Sequence, residues 1–121
     1  MALPNPRPLD VIRVNAYYAD ASTAGSTFVS SPCRGKLVKV GSVLHAAITT
    51  ADDVITMEIN GTAVTGATWS IATANSAPGD VDTATPTGAN AVNEDDTIEF
   101  ICSGASDTTA PVTFFADIQV N

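Results

Sequence analysis

The side chains that could perform chemistry in this 121-residue chain are few and scattered. His45 is the single histidine, and no motif around it supplies the nucleophile and the orienting group that a general base needs. Asp80 and Asp82 suggest a calcium loop, but the ligand spacing stops there and no glutamate closes it. The other carboxylates lie in predicted turns, where solvated loops are the simpler interpretation. These residues predict a chain that is not an enzyme and has no cofactor or metal.

The two cysteines do not have the spacing of a metal site. Cys33 follows Pro32 at the entrance of a predicted strand, whereas Cys102 ends an apolar alternation and is expected to be a small buried hydrophobe. We predict two free thiols. A disulfide stays open as the alternative, because the distance between the two Cα atoms decides it.

The charges are divided unevenly along the chain. Thirteen acids and five bases give a net charge of −8, and all five bases lie within positions 1–39. This division predicts a basic end that can meet an acidic partner, with acidic loops that merely keep the protein soluble as the alternative. The negative net charge argues against nucleic acid as a direct partner. No apolar run is long enough for a membrane helix and the N-terminus lacks a signal-peptide layout, so a soluble protein made in the cytoplasm is expected.

The elements that position these residues are predicted to be strands. Apolar residues recur at about every second position in Asp10–Tyr18, from Leu37 to Ile48, in Val54–Ile59, Thr97–Cys102 and Pro111–Val120. Residues 31–61 are interpreted as one long β-hairpin, closed by the Asn60-Gly61 turn.

Three further features complete the prediction. Residues 75–93 have no clear periodicity and are expected to form a long loop, either functional or braced by a neighbouring chain. Trp69 shares a face with Ile71, which favours the core over a sugar-stacking platform. Phe115 is expected on the outward face of the last strand, as a contact residue. Residues 10–121 are therefore predicted to form a single-domain, all-β antiparallel sandwich, with a jelly roll as the favoured arrangement.

Residues 1–9 read as an extended arm. Prolines at alternate positions, Pro4, Pro6 and Pro8, remove amide donors and fix φ, so neither a helix nor a central strand is available. Fully extended, the arm reaches roughly 30 Å, far enough to lie on a neighbouring molecule. A disordered terminus is the alternative.

Several phrases of the chain, in this order, resemble the small head decoration, or cement, proteins of tailed bacteriophages. They are Phe28-Val29, Ser31-Pro32, GKLVKV at 35–40, Ser42-Val43-Leu44, Ala47-Ile48-Thr49, INGTAV at 59–64, APGDVDTATP at 77–86 and Asn90-Ala91-Val92. The resemblance covers about positions 26 to 102. The chain departs from the family pattern at Glu94-Asp95-Asp96, where a Gly-Asp turn is expected, and in the proline-rich arm.

The resemblance implies a non-enzymatic virion protein that binds the outer surface of a capsid and cements its capsomers. Its implied partners are the major capsid protein and further copies of itself, most often as a trimer, with no membrane and no direct nucleic acid. The implied location is the capsid surface of a virion assembled in the host cytoplasm. The candidate contact residues are Pro4, Pro6, Arg7, Pro8, Arg13, Arg34, Lys36, Lys39 and Phe115.

Two other functions stay open. One is a receptor- or carbohydrate-binding module of a phage fibre, with Trp69, Tyr17 and Tyr18 as stacking platforms. The other is a tail-tube or baseplate subunit.

Overall fold

The computed structural model describes residues 10–120, which form two antiparallel β-sheets packed face to face. Sheet A contains β1 (Val11–Tyr18), β10 (Val112–Val120), β3 (Gly35–Leu44), β7 (Val81–Ala84) and β8 (Ala91–Val92). Sheet B contains β2 (Gly25–Ser30), β9 (Thr97–Cys102), β4 (Asp53–Ile59), β5 (Thr62–Ala63) and β6 (Trp69–Ile71). The predicted all-β antiparallel sandwich is confirmed.

The order of the strands is that of a jelly roll. Sheet A runs β1-β10-β3-β7 and sheet B runs β2-β9-β4-β5, and the first four strands alternate between the two sheets. The late strands β9 and β10 are each inserted between two early strands. As a consequence, β1 and β3 are second neighbours in one sheet although the chain visits the other sheet between them.

The core lies between the sheets and is built by the inward residues of both. Phe100 of β9 stacks on Phe114 of β10, with ring centroids 5.2 Å apart and planes 6° apart. Trp69 meets the same Phe114 ring edge-on and donates a hydrogen bond of 2.9 Å from its indole nitrogen to Ser42. The prediction that Trp69 belongs to the core is confirmed, since it is 6% exposed.

The interpretation of residues 31–61 as a β-hairpin is wrong. β3 pairs with β10, β7 and β8, whereas β4 pairs with β9, β5 and β6, so the two strands lie in opposite sheets. The alternation of apolar residues is the same whether two strands pair or face each other across a core, and so it does not identify the partner. The Asn60-Gly61 turn is confirmed: both residues have positive φ, at 50° and 84°, and they join β4 to β5.

The long loop predicted at residues 75–93 is also corrected. It contains β7 and β8, which pair with two separate parts of the same edge of β3. Strands of four and two residues are too short for periodicity to reveal. This segment is thus braced by hydrogen bonds within its own chain.

Both cysteines are free thiols, as predicted. Cys102 is buried in the core and Cys33 is half-buried. Within residues 10–120, no helix is long and apolar enough to cross a membrane.

Candidate docking surface

Three positively charged residues meet on the outer face of sheet A. Arg13 of β1 is paired in register with Asp117 of β10, and Asp117 is paired with Lys39 of β3. Lys36 lies on the same side of β3, beside the exposed Gln119. Because β10 separates β1 from β3, one patch combines cations that are far apart in the sequence. We call the outer side of sheet A around Arg13, Lys36 and Lys39 the basic face.

A β-bulge places both lysines on this face. In a regular strand, residues three apart point to opposite sides. Here the register shifts between Asp117 and Ile118, so that Lys39 lies opposite Asp117 and Leu37 lies opposite Ile118. Val38 is the extra residue of the bulge. Leu37 and Val40 therefore both point into the core, at 0% exposed, while Lys36 and Lys39 are both exposed.

Arg13 is held in position by two contacts. Its guanidinium donates hydrogen bonds of 2.6 and 3.0 Å to the two carboxylate oxygens of Asp117, and this bonding raises the pKa of Arg13. The same guanidinium lies 3.9 Å from the ring centroid of Phe115, a cation–π contact. Asp117 neutralises much of this charge, so Lys36 and Lys39 carry most of the net positive charge of the face.

Phe115 does not act as the exposed contact residue that we predicted. It does point outward, but it is only 2% exposed. Arg13 covers the ring from β1, and on β3 its register partner is Gly41, where an added Cβ would lie 2.6 Å from the ring. Phe115 thus fills the space that a side chain on β3 would occupy, and its ring packs against the guanidinium of Arg13. A glycine in mid-strand, which often marks such a close approach, is the sequence signal that we missed.

Arg34 lies at the edge of the basic face, exposed in the segment before β3. That segment is attached to the acidic turn before β9: the amide of Ser31 donates to the carbonyl of Asp96 at 2.9 Å, and the amide of Asp95 donates to the carbonyl of Ser31 at 2.8 Å. Main-chain hydrogen bonds therefore join the acidic turn at Asp95 and Asp96 to the segment that contains Arg34. Within residues 10–120, Arg34, Lys36 and Lys39 form no ion pair.

The outer face of sheet B has the opposite character. Its five strands contain no lysine or arginine. Glu58 of β4 and Glu99 of β9 are paired in register there, and Phe28 of β2 lies beside Glu99. Two like charges directly opposite each other disfavour the sheet slightly. The sandwich therefore has one basic and one acidic broad face.

The residues proposed as stacking platforms do not form a site. Trp69 is in the core, and the hydroxyl of Tyr18 is hydrogen-bonded to the carbonyl of Thr23. Tyr17 alone is well exposed, at 60%, with the ring of His45 edge-on at 6.3 Å. His45 in turn is hydrogen-bonded to the Thr113 hydroxyl at 2.8 Å. A single exposed tyrosine does not make the flat platform that the fibre-module hypothesis requires.

Of the predicted contact residues, the structure brings Arg13, Lys36 and Lys39 together, with Arg34 at their edge. Pro4, Pro6, Arg7 and Pro8 lie outside the described residues. Among residues 10–120, no three side chains of His, Cys, Asp or Glu come together in a way that could hold a metal ion.

Comparisons with known proteins add little to this description. No protein-family model and no curated protein matches the chain. Eleven chains of solved structures match, and one belongs to a CocE/NonD family hydrolase from Staphylococcus aureus, with a TM-score of 0.45 and 9% sequence identity. The match covers 88% of this chain and 30% of the hydrolase chain, so this chain spans less than a third of that protein.

This match contradicts the prediction that the chain is not an enzyme, and that prediction is withdrawn. At this TM-score and identity, the likeness supports no statement about an activity of the present chain. None of the comparisons tests the resemblance to capsid decoration proteins, which stays a prediction.

Proposed function

We propose that this chain is a capsid decoration protein, which docks through its basic face on the outer surface of a tailed-phage head and cements neighbouring capsomers. The observation that carries the proposal is the gathering of Arg13, Lys36 and Lys39 on one broad face of a chain with a net charge of −8. The resemblance in residues 26–102 supplies the partner, the major capsid protein.

The distribution of charge favours one orientation on the shell. The basic face can meet an acidic surface of the capsid, while the acidic outer face of sheet B, with Glu58 and Glu99, points away into solution. Ionic attraction between exposed groups extends about 8 Å at physiological salt, so it acts mainly at close range. Complementary charges of this kind choose the partner and the orientation more than they add affinity.

Self-association strengthens weak contacts of this kind. We propose that the chain binds as a symmetric homo-oligomer, with a trimer as the first candidate. Once one subunit of a trimer is docked, the other two meet equivalent sites on the shell at high effective concentration, so that modest contacts per subunit are sufficient.

Purified chain mixed with undecorated heads tests this function. We expect saturable binding at a fixed ratio to the major capsid protein, measured by co-sedimentation. Decorated heads should also retain their DNA to a higher temperature than undecorated heads. Heads that bind no chain, or that bind it without saturation, would contradict the proposal.

A further inference from the structure

In sheet B, β2 (Gly25–Ser30) lies at one edge, and it is joined to β1 through the Thr27 hydroxyl, which donates a hydrogen bond of 3.0 Å to the main-chain carbonyl of Tyr17. Among the strands of residues 10–120, β2 pairs with β9 alone. Within residues 10–120, no main-chain hydrogen bond reaches its outer edge. Exposed edges are usually blocked by a charge, a proline or a bulge. β2 has none of these, and its residue Phe28 is 59% exposed.

The sequence of the arm fits such an edge. Successive residues of a strand direct their main-chain N–H and C=O groups to opposite sides. With proline at positions 4, 6 and 8, the remaining donors of this stretch belong to Asn5, Arg7 and Leu9 and all lie on one side of an extended chain. An arm of this kind can pair with one neighbouring strand, and its proline side then ends the sheet.

We propose that the arm of one copy adds as an extra strand to the outer edge of β2 in a second copy. Three of the six residues of β2 direct their main-chain N–H and C=O groups away from β9, in the plane of the sheet. These three residues match the three donor residues of the arm in number and in spacing. The proline-stiffened arm also loses less conformational entropy on binding than a flexible tail would.

Side chains on the outer face of sheet B support this pairing. Phe28 lies in register with Glu99, so an aromatic ring and a carboxylate are neighbours there. On sheet A, an aromatic ring and a carboxylate two residues apart on β10 are both contacted by an arginine, because Arg13 lies over Phe115 and is hydrogen-bonded to Asp117. On sheet B no cation from within residues 10–120 contacts Phe28 and Glu99 in this way. Arg7 is the middle donor residue of the arm, and it supplies the missing cation.

A second copy fits better than the arm's own domain. β1 begins at Val11, already paired with Gln119 of β10. To return to its own β2, the chain must reverse direction just before Val11, and a tight reversal takes two residues. The reversal would remove Leu9 from the pairing residues, whereas an arm that continues outward keeps all three. Repeated from copy to copy about an axis, this head-to-tail contact closes a ring, as a trimer requires. The inference rests on the proposed function only in taking the chain to be an oligomer.

Two variants at one position separate main-chain pairing from side-chain effects. Asn5→Pro removes a donor on the pairing side and directs a ring at β2, whereas the matched variant Asn5→Ala keeps the donor. By sedimentation of the full chain over a range of concentrations, we expect Asn5→Ala to self-associate within about threefold of the unmodified chain. Asn5→Pro should associate at least roughly tenfold more weakly.

Amide hydrogen exchange locates the contact. The β2 amides that point away from β9 should exchange more slowly as the protein concentration rises. We expect this slowing in the unmodified chain and in Asn5→Ala, but not in Asn5→Pro. Phe28→Ser, a change at an exposed side chain, should weaken association from the partner side, with circular dichroism as the check on folding.

Three results would overturn the inference. They are equal association of the two Asn5 variants, a monomer at all concentrations, and protection of β2 that does not depend on concentration, which would indicate the chain's own arm. These measurements involve no capsid. If heads bind no chain while the arm contact is intact, the proposed function fails and this inference stands.

Discussion

Replacing Gly41 by alanine tests how the basic face is built. An added Cβ would lie 2.4 Å from the carbonyl oxygen of Asp82 on β7 and 2.6 Å from the ring of Phe115 on β10. Ordinary contacts of a Cβ are about 3.4 Å or more, so each neighbour would have to move by close to an ångström. Neither moves freely, because the oxygen belongs to the main chain of a paired strand and the ring is covered by Arg13.

The cost follows from this overlap. Overpacking of a well-filled site typically destabilises by about 1–3 kcal/mol. For a domain of this size, each kcal/mol lowers Tm by about 4 °C, so we expect a decrease of roughly 4–12 °C. Gly88→Ala is the matched control, because a Cβ there meets Thr65 at no less than 3.4 Å and φ is not positive. Its effect should stay within about 0.5 kcal/mol.

Urea unfolding of both variants measures the difference, with unchanged m-values as the sign of an unchanged unfolding reaction. Combining Gly41→Ala with Phe115→Leu should recover part of the loss, because a smaller side chain leaves room for the methyl group. If Gly41→Ala and Gly88→Ala unfold alike, then β7 and β10 do not approach Gly41 closely and the description of this face is wrong. If the double variant loses as much stability as the two single variants together, then the overlap is with the Asp82 carbonyl and not with the Phe115 ring.

Two further predictions concern titrating groups. Burial and the nearby Asp80 raise the pKa of Asp82 above its unfolded value of 3.8. Ionised Asp82 therefore lowers the free energy of unfolding at pH values above the raised pKa, and this loss disappears below pH 3.8. Asp82→Asn should therefore raise Tm at pH 7 but change it little at pH 3, and an equal change at both pH values would contradict this. Burial raises the pKa of the Cys102 thiol to about 11. At pH 8, a disulfide reagent should thus label one thiol of the folded chain quickly. Cys33→Ser should remove this fast labelling, and Cys102→Ser should leave it unchanged. Fast labelling of both thiols would contradict a buried Cys102.

The sequence predicted the strands with strong alternation well. The final strand was expected to alternate with Phe115 outward, and Val112, Phe114 and Ile118 of that strand are fully buried. The Asn60-Gly61 turn was equally predictable, because few dipeptides tolerate two positive φ values. Features that depend on a residue and its immediate neighbours are therefore within reach of sequence reasoning.

The partners of each strand were not predictable in the same way. Whether β3 pairs with β4 or faces it depends on the long-range insertion of β9 and β10, and alternation along one strand contains no information about this. The basic face depends on two such long-range features. One is the placement of β10 between β1 and β3, and the other is the bulge opposite Asp117 that directs Lys36 and Lys39 to the same side. The apolar pair Leu37 and Val40, three residues apart, was the local sign of that bulge.

Binding of charge-matched variants to undecorated heads tests the central claim most directly. Lys36→Gln with Lys39→Gln removes charge from the basic face, whereas Thr56→Glu with Ser70→Glu lowers the net charge equally at exposed positions of sheet B. We expect the first variant to lose most of its binding at physiological salt and the second to bind as the unmodified chain does. Equal loss in both variants, or full binding by the first, would contradict docking through the basic face.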